Sequence, residues 1–138
     1  MSDRVTGLVG VLVWTTQARF PAMRRFYVEA LGLPPRSDRA GFVSFAWGSP
    51  PVDVRLTIVV HPEIEGAAAE PLRLMVNLGV DNIDATAERL RRAGVEFTRS
   101  PERERWGGWI ATFHDPDGNT VQLLQPAPPD EERDAHRP

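Results

Sequence analysis

The sequence contains no cysteine and no lysine, and each absence narrows what the protein can do. Without cysteine there is no disulfide framework, no thiolate nucleophile and no cysteine-ligated metal site. Without lysine there is no catalytic Schiff-base lysine. The basic residues, all arginine, number 16 against 19 acidic ones, so the formal net charge is -3. The basic excess of a nucleic-acid-binding domain is therefore missing, and no nucleic-acid partner is expected.

Long apolar runs are also missing from the chain. No segment approaches the ~20 consecutive apolar residues that cross a bilayer, and residues 1–7 lack the apolar core of a signal peptide. We therefore expect a cytoplasmic protein with no membrane partner. The 138 residues are enough for one domain with a hydrophobic core.

Two halves of the chain repeat one plan of a strand, a helix and further strands. In the first half, the apolar, β-branched run at 8–15 predicts a strand. Apolar residues at helical spacing predict a helix over 20–31. Further strands are predicted around Phe42–Trp47 and 53–60.

The second half begins with a predicted strand over 72–80. Either Asp81 or Asn82 is a suitable N-cap for the amphipathic helix that follows, and Gly94 is a suitable stop. A short strand resumes at 95–97, and the residues Glu102-Arg103-Glu104-Arg105 are interpreted as an Arg-rich loop.

Residues 113–125 predict two strands joined by a tight turn, because Asp-Pro and Asp-Gly pairs favour turn geometry. Pairing of His114 with Thr120 would set the register of the hairpin. That register places Thr112 beside Gln122 and Ile110 beside Leu124.

Three motifs, in this order, resemble the glyoxalase / bleomycin-resistance protein / dioxygenase (vicinal oxygen chelate) superfamily. They are Phe26-Tyr27 with Leu31-Gly32, Val80-Asp81-Asn82-Ile83-Asp84 with Arg92-Ala93-Gly94-Val95, and Asp115-Pro116-Asp117-Gly118-Asn119. The resemblance implies an α+β fold in which paired βαβββ modules form a curled mixed sheet around a pocket. It implies one domain over 1–125, with module one at about 5–62, a connector at 61–70 and module two at about 71–125. A disordered tail is predicted for 126–138.

The family's metalloenzymes bind a divalent ion through four inward-facing strand residues, mostly His and Glu. The resemblance assigns these positions to Gly10, to Arg55 or Thr57, to Met75 and to Gln122. Glycine offers no ligand, methionine offers a soft thioether, and a neutral amide is a weak ligand, whereas an open catalytic metal site needs about three protein ligands. We therefore expect no metal and no other cofactor. His61 and His114 are expected at the surface or as capping residues.

The set that faces inward on this resemblance is mostly apolar with a few neutral polar groups, which is typical of a small-molecule pocket. The alternative is that these side chains fill a collapsed core. A ligand-binding role is predicted for Leu12, Trp14, Trp47, Met75, Asn77, Trp106, Ile110, Thr112, Gln122 and Leu124.

The four tryptophans allow two interpretations. They suit a planar aromatic or cationic ligand, and they equally suit core and dimer-interface packing. Trp106 lies beside two glycines, where it could act as a lid. The hairpin register directs Trp109 to the helix side, where core packing is its better interpretation.

Three functions remain open. The first is a metal-free homodimeric protein that binds or sequesters an apolar or aromatic small molecule, as the bleomycin-resistance branch of the family does. The second is a family enzyme, a glyoxalase-like lyase, isomerase or dioxygenase acting on a small oxygenated substrate. Without a metal it would need acid–base chemistry, for which His61, His114 and Tyr27 are the candidates. The third is a module that senses a ligand without transforming it.

Overall fold

The computed structural model describes residues 3–49 and 52–129. The chain divides into two compact units, with the division between Gly66 and Ala67. Each unit contains a four-stranded mixed sheet and one helical segment, so the α+β class and the repeated plan are confirmed. Most of the predicted tail, from 130 onward, lies outside the described residues.

The first unit contains β1 (Gly10–Thr15), α1 (Phe20–Arg25), β2 (Ser37–Arg39), β3 (Phe42–Trp47) and β4 (Val54–Val60). The second contains β5 (Met75–Gly79), α2 (Ile83–Arg92), β6 (Phe97–Arg103), β7 (Trp109–His114) and β8 (Thr120–Gln125). No helix in the described part of the chain is long and apolar enough to span a membrane.

Both sheets have the same topology. The strand order is β1-β4-β3-β2 in the first and β5-β8-β7-β6 in the second. The edge strands β1 and β5 run parallel to β4 and β8, and the other pairs are antiparallel. A parallel pair needs a crossover connection, and the helical segment belongs to that crossover in each unit.

The helix predicted over 20–31 is present, but its second half changes geometry. After α1, residues Phe26–Ala30 form a π-helical turn. The backbone N–H of Leu31 accordingly donates to the carbonyl of Phe26, 2.9 Å away. Gly32 then adopts a φ of 74°, the left-handed conformation in which glycine commonly stops a helix.

One face of the first sheet packs under this helical segment. Tyr27 is fully buried, and its ring lies 6.3 Å from the ring of Phe45 on β3. Val43 and Ile58 are fully buried on the same face. Burial of each such side chain contributes about 1.5–3 kcal/mol.

The second unit buries one stripe of α2, formed by Ile83, Ala87 and Leu90. Of the two candidate caps, Asn82 is the N-cap, and its side-chain oxygen accepts from the N–H of Ala85 at 3.1 Å. The fully buried Ala111, Phe113, Val121 and Leu123 belong to one face of β7 and β8.

Three strands differ from the predictions. β2 was not predicted, because three residues of polar sequence carry no usable alternation. β5 is shorter than the run at 72–80, and Leu72 and Leu74 precede it as exposed side chains. β6 continues through Arg103, so part of the segment interpreted as a loop is strand.

Candidate functional site

Six of the ten predicted ligand-binding residues share one face of the second sheet. Asn77 is paired with Gln122, Gln122 with Thr112, and Leu124 with Ile110, so the predicted hairpin register is correct. Met75 has the same parity on β5. This face, which we call the second site face, is the opposite one from Val121 and Leu123. Its six predicted residues are Met75, Asn77, Ile110, Thr112, Gln122 and Leu124.

A pair of amides lies in the middle of the second site face. Gln122 Nε2 donates a hydrogen bond of 2.7 Å to Asn77 Oδ1. Each amide therefore satisfies part of the other's hydrogen-bonding capacity. Asn77 Nδ2 keeps donor capacity and Gln122 Oε1 keeps acceptor capacity, so the pair can offer one donor and one acceptor to a bound molecule.

A cluster of charged side chains continues the line of paired residues Asn77, Gln122 and Thr112 onto β6. This cluster was not predicted from the sequence. Arg99 on β6 is paired with Thr112. Its guanidinium binds Glu102 at 2.9 Å and Glu104 at 2.6 Å. These two bonds, with the one to Glu102 the larger cause, raise the pKa of Arg99 above its ordinary value.

The cluster was missed because β6 is irregular. The register shifts between Phe97 and Arg99, and again between Arg99 and Glu102. Each bulge changes which residues share a face, so strict alternation from the half-buried Phe97 gives the wrong face for Arg99. The sequence did offer one indication of the cluster, which is an arginine at 99 within five residues of glutamates at 102 and 104.

The other predicted residues lie in different places. Leu12 and Trp14 share one face of β1, with 55% and 44% of their surfaces exposed. We call this the first site face. Trp47 is half-exposed at the end of β3, and its register places it with Phe45 on the helix-packed face. Trp14 lies on the opposite face of the same sheet, so the two indoles are not adjacent.

Trp106 lies in the turn between β6 and β7. The carbonyl of Glu104 accepts from the N–H of Gly107, and the N–H of Glu104 donates to Gly108. The indole of Trp106 covers Gly108 so closely that a Cβ built there would lie 1.8 Å from the ring. In this structure the ring therefore packs on its own turn, within the second unit.

Gly10 stands where the resemblance implies a metal ligand. A Cβ built at this residue would lie 2.6 Å from the backbone oxygen of Arg55 on the neighbouring strand. That distance is below any real Cβ contact. The close approach of β1 and β4 therefore leaves no room for any side chain at this position.

The remaining positions implied for metal ligands carry poor donors. Thr57 is buried, and Arg55 donates to Asp53 at 3.2 Å. Arg36 also donates to Asp53, at 2.6 Å, and is the main cause of the lowered pKa of the Asp53 carboxyl. Within residues 3–49 and 52–129, no three His, Asp or Glu side chains lie close enough together to hold a metal ion.

The three candidate acid–base residues have different surroundings. His61 follows β4; its Nδ1 accepts from the N–H of Glu63 at 3.1 Å, and its ring meets that of Trp14 edge-on at 4.8 Å. Tyr27 is buried under the helical segment of the same unit. His114 is exposed at the start of the closing turn in the second unit.

The closing turn itself has a structural role. Asp115 is buried, and its Oδ1 accepts from the backbone N–H groups of Asp117 and Asn119 at 2.9 and 3.0 Å. Gly118 takes the positive φ, 84°, that the turn requires. This motif therefore sets the register that aligns Gln122 with Thr112.

Known proteins share this architecture. The family described as Glyoxalase/Bleomycin resistance protein/Dioxygenase superfamily matches residues 16–123. The uncharacterized protein YetH of Bacillus subtilis (strain 168) is 25% identical over 103 residues, which are 74% of this chain and 85% of that protein.

Two solved structures are also similar. A glyoxalase/bleomycin resistance protein/dioxygenase from Nocardioides has a TM-score of 0.69 at 22% identity, covering 94% of this chain and 88% of its own. TnmS3, an antibiotic binding protein from Streptomyces sp. CB03234, has a TM-score of 0.66 at 26% identity, covering 91% of this chain and 100% of its own. The sequence match over residues 16–123, together with the shared fold, shows that this chain belongs to the glyoxalase/bleomycin resistance protein/dioxygenase superfamily.

Proposed function

We propose that this protein binds a small apolar or aromatic molecule without the help of a metal ion. The observation that carries the proposal is the hydrogen bond between Gln122 and Asn77. Gln122 stands where the family resemblance implies a glutamate metal ligand. Here that position carries a neutral amide, whose nitrogen is engaged by a second neutral amide.

The other positions implied for metal ligands support the same proposal. A metal ligand at Gly10 would need a side chain in space that the backbone of Arg55 occupies. Met75 offers only a soft thioether, which does not suit the hard or borderline divalent ions that carboxylate and imidazole sites hold. These residues do not fit a catalytic metal.

Each site face by itself offers contacts that a small molecule can use. The first has exposed Trp14 and Leu12, and the second has partly exposed Met75. Apolar surface drives binding, and a few placed polar groups fix orientation. On the second site face, those groups are the free donor and acceptor of the amide pair.

We infer that the ligand is planar and carries a carbonyl-like acceptor next to a donor. The donor and acceptor of the amide pair would match such a group. The partly exposed Met75, on the same face of the second unit, would pack against a flat apolar body. The description of the similar protein TnmS3 as an antibiotic binding protein supports ligands of this size and character.

The test is a titration of tryptophan fluorescence with a library of planar aromatic compounds. We expect saturable quenching by at least one compound, and weaker binding by Asn77→Ala and Gln122→Ala variants, about 10-fold for each lost hydrogen bond. Gln17→Ala, an exposed position outside both site faces, is the matched control. If no compound in the library gives saturable quenching, the proposal is wrong.

We also propose that the protein acts as a homodimer in the cytoplasm. The apolar side chains exposed on and near β1, among them Leu8, Val9 and Val11, support an interface between two copies. Sedimentation equilibrium tests this directly, since a monomer at micromolar concentrations would contradict it.

A further inference from the structure

We infer that the first site face binds an aromatic acid, whose ring lies against Trp14 and whose acid group is held by Arg39 and two hydroxyls. All of these residues belong to the first unit. The inference rests on the small-molecule binding proposed above, and it names a ligand class for one of the two faces.

Two hydroxyl side chains lie next to each other in the middle of the first site face. Thr57 on β4 is paired with Leu12 on β1 and with Ser44 on β3, so all three share this face. Only 8% of Thr57 and 6% of Ser44 are exposed. Within residues 3–49 and 52–129 neither hydroxyl has a hydrogen-bond partner, yet no fully buried side-chain oxygen there lacks one. The two oxygens therefore reach the surface of the face, where their hydrogen bonds are available to a bound molecule.

A guanidinium without a carboxylate partner lies beside these hydroxyls. Arg39 on β2 is paired with Phe42 on β3, which belongs to the same face as Ser44. The guanidinium carbon of Arg39 lies 4.0 Å from the centre of the Phe42 ring, so the side chain leans from β2 over β3. No carboxylate in the described part of the chain pairs with Arg39, since the adjacent Asp38 has the opposite parity and binds Arg24 at 2.9 Å. The stacked guanidinium therefore keeps its N–H groups for an anion.

The balance of charge at this face favours an anionic ligand. Arg55 shares the face, and its ion-pair partner Asp53 is also bound by Arg36. Together with Arg39, three guanidiniums stand against this one carboxylate. The balance is reversed at the second site face, where two glutamates bind one arginine. The anionic ligand is therefore assigned to the first site face.

Trp14 supplies the surface for the ring of the ligand. It lies at the end of a row of paired residues that runs from Arg39 and Phe42 through Val59. Neighbouring strands are about 4.8 Å apart, so the indole on β1 lies about 10 Å from the strand that carries Phe42 and the guanidinium above it. A two-ring aromatic acid can therefore stack on the indole while its acid group reaches the guanidinium and the hydroxyls.

The test uses 2-naphthoate as the probe and nitrogen-15 NMR of the indole N–H groups as the readout. A Trp14→Phe variant assigns the Trp14 signal, and we expect that signal to move saturably with added naphthoate. Arg39→Gln should weaken binding about 10-fold or more, as loss of a charge-assisted hydrogen bond implies, and Ser44→Ala about 5-fold. Arg25→Gln is the matched control, because it removes the same charge from an exposed position on α1 in the same unit. An otherwise unchanged proton spectrum shows that each variant is folded.

Two analogues identify what the site recognises. The neutral 2-naphthamide should bind more weakly than naphthoate, and equally to the unmodified protein and its Arg39→Gln variant. 2-Naphthyl phosphate distinguishes the two sources of an acid group. Tighter binding than naphthoate supports a phosphate ester as the ligand, and weaker binding supports a carboxylic acid.

Naphthoate binding that is unchanged in Arg39→Gln would overturn the inference. So would the absence of any movement of the Trp14 signal with both acids. Failure of the proposed function is a separate result, because that function is tested with neutral planar compounds and the Gln122→Ala variant. Binding of such a compound that is weakened by Gln122→Ala would leave the proposed function standing while the inference fails.

Discussion

Gly10 and Gln122 occupy positions that the family resemblance assigns to metal ligands, and they are unsuited to that role for different reasons. Gln122 has a side chain, but it is neutral and bonded to Asn77. Gly10 has none, and the backbone of Arg55 lies where its Cβ would be. The first reason was evident from the sequence. The second was not, because the distance between two strands is not encoded in either residue alone.

Substitution of Gly10 by alanine should destabilise the first unit. The new methyl group would force β1 away from β4, and overpacking of this kind costs about 1–3 kcal/mol. Urea unfolding followed by circular dichroism measures the change in the free energy of unfolding.

Gly79→Ala is the matched control for this prediction. Gly79 also lies on an edge strand, but a Cβ there would meet nothing within 4 Å. Its free energy of unfolding should change by less than about 0.5 kcal/mol. Equal destabilisation by the two substitutions would contradict the account of Gly10.

Among the strands, those with regular alternation were predicted correctly and those with irregular pairing were not. The hairpin of β7 and β8 has a tight turn and unbroken alternation, and its register was predicted pair by pair. The irregular β6 was predicted only at its first residue, and its end was interpreted as part of an Arg-rich loop, since its bulges and Pro101 interrupt the alternation on which strand prediction depends. For the same reason, the cluster of Arg99, Glu102 and Glu104 was not predicted.

The turn between β6 and β7 gives a testable arrangement of Trp106. Substitution of Gly108 by alanine should displace the indole, because the new Cβ would overlap the ring. A freed indole becomes more exposed, so tryptophan emission should shift to longer wavelength with little loss of stability. The measurement is a difference spectrum against the unmodified protein, repeated in a Trp106→Phe background. A shift that persists in that background would contradict the assignment.

The Asp53 carboxylate, just before β4, forms an ion pair with Arg36, just before β2. The contribution of this carboxylate to the stability of the fold depends on pH. Arg36 and Arg55 both bind Asp53, whose side chain is 7% exposed, and they lower the pKa of that carboxyl. Its stabilising effect is therefore fully present above the ordinary carboxyl pKa of about 3.9. The effect is lost as the pH falls through the lower, folded-state value.

An Asp53→Asn variant should accordingly be less stable than the unmodified protein at pH 7. The difference should shrink as the pH falls below the ordinary carboxyl pKa of about 3.9, and it should disappear once the pH is also below the lowered folded-state pKa. Urea unfolding at several pH values tests this, with Glu63→Gln as an exposed control. A stability difference that stays constant with pH would show that the ion pairs are not its source.

At the scale of the whole molecule, the repeated plan and the three motifs were enough to predict the fold class. Both units have the same strand order, as two copies of one module require. The activity does not follow from the fold, because one fold supports many chemistries and the site residues decide among them. Here the decisive residues are few, and their roles depend on neighbours that are distant in sequence, as Asn77 is from Gln122.

The central claim is small-molecule binding without the metal of the family's enzymes. The most direct test is elemental analysis of protein that is competent to bind its ligand, as isolated and after incubation with nickel, iron or zinc followed by desalting. We predict less than stoichiometric metal in every sample and unchanged ligand binding after treatment with a strong chelator. One retained divalent ion per chain, with ligand binding lost on chelation, would contradict it.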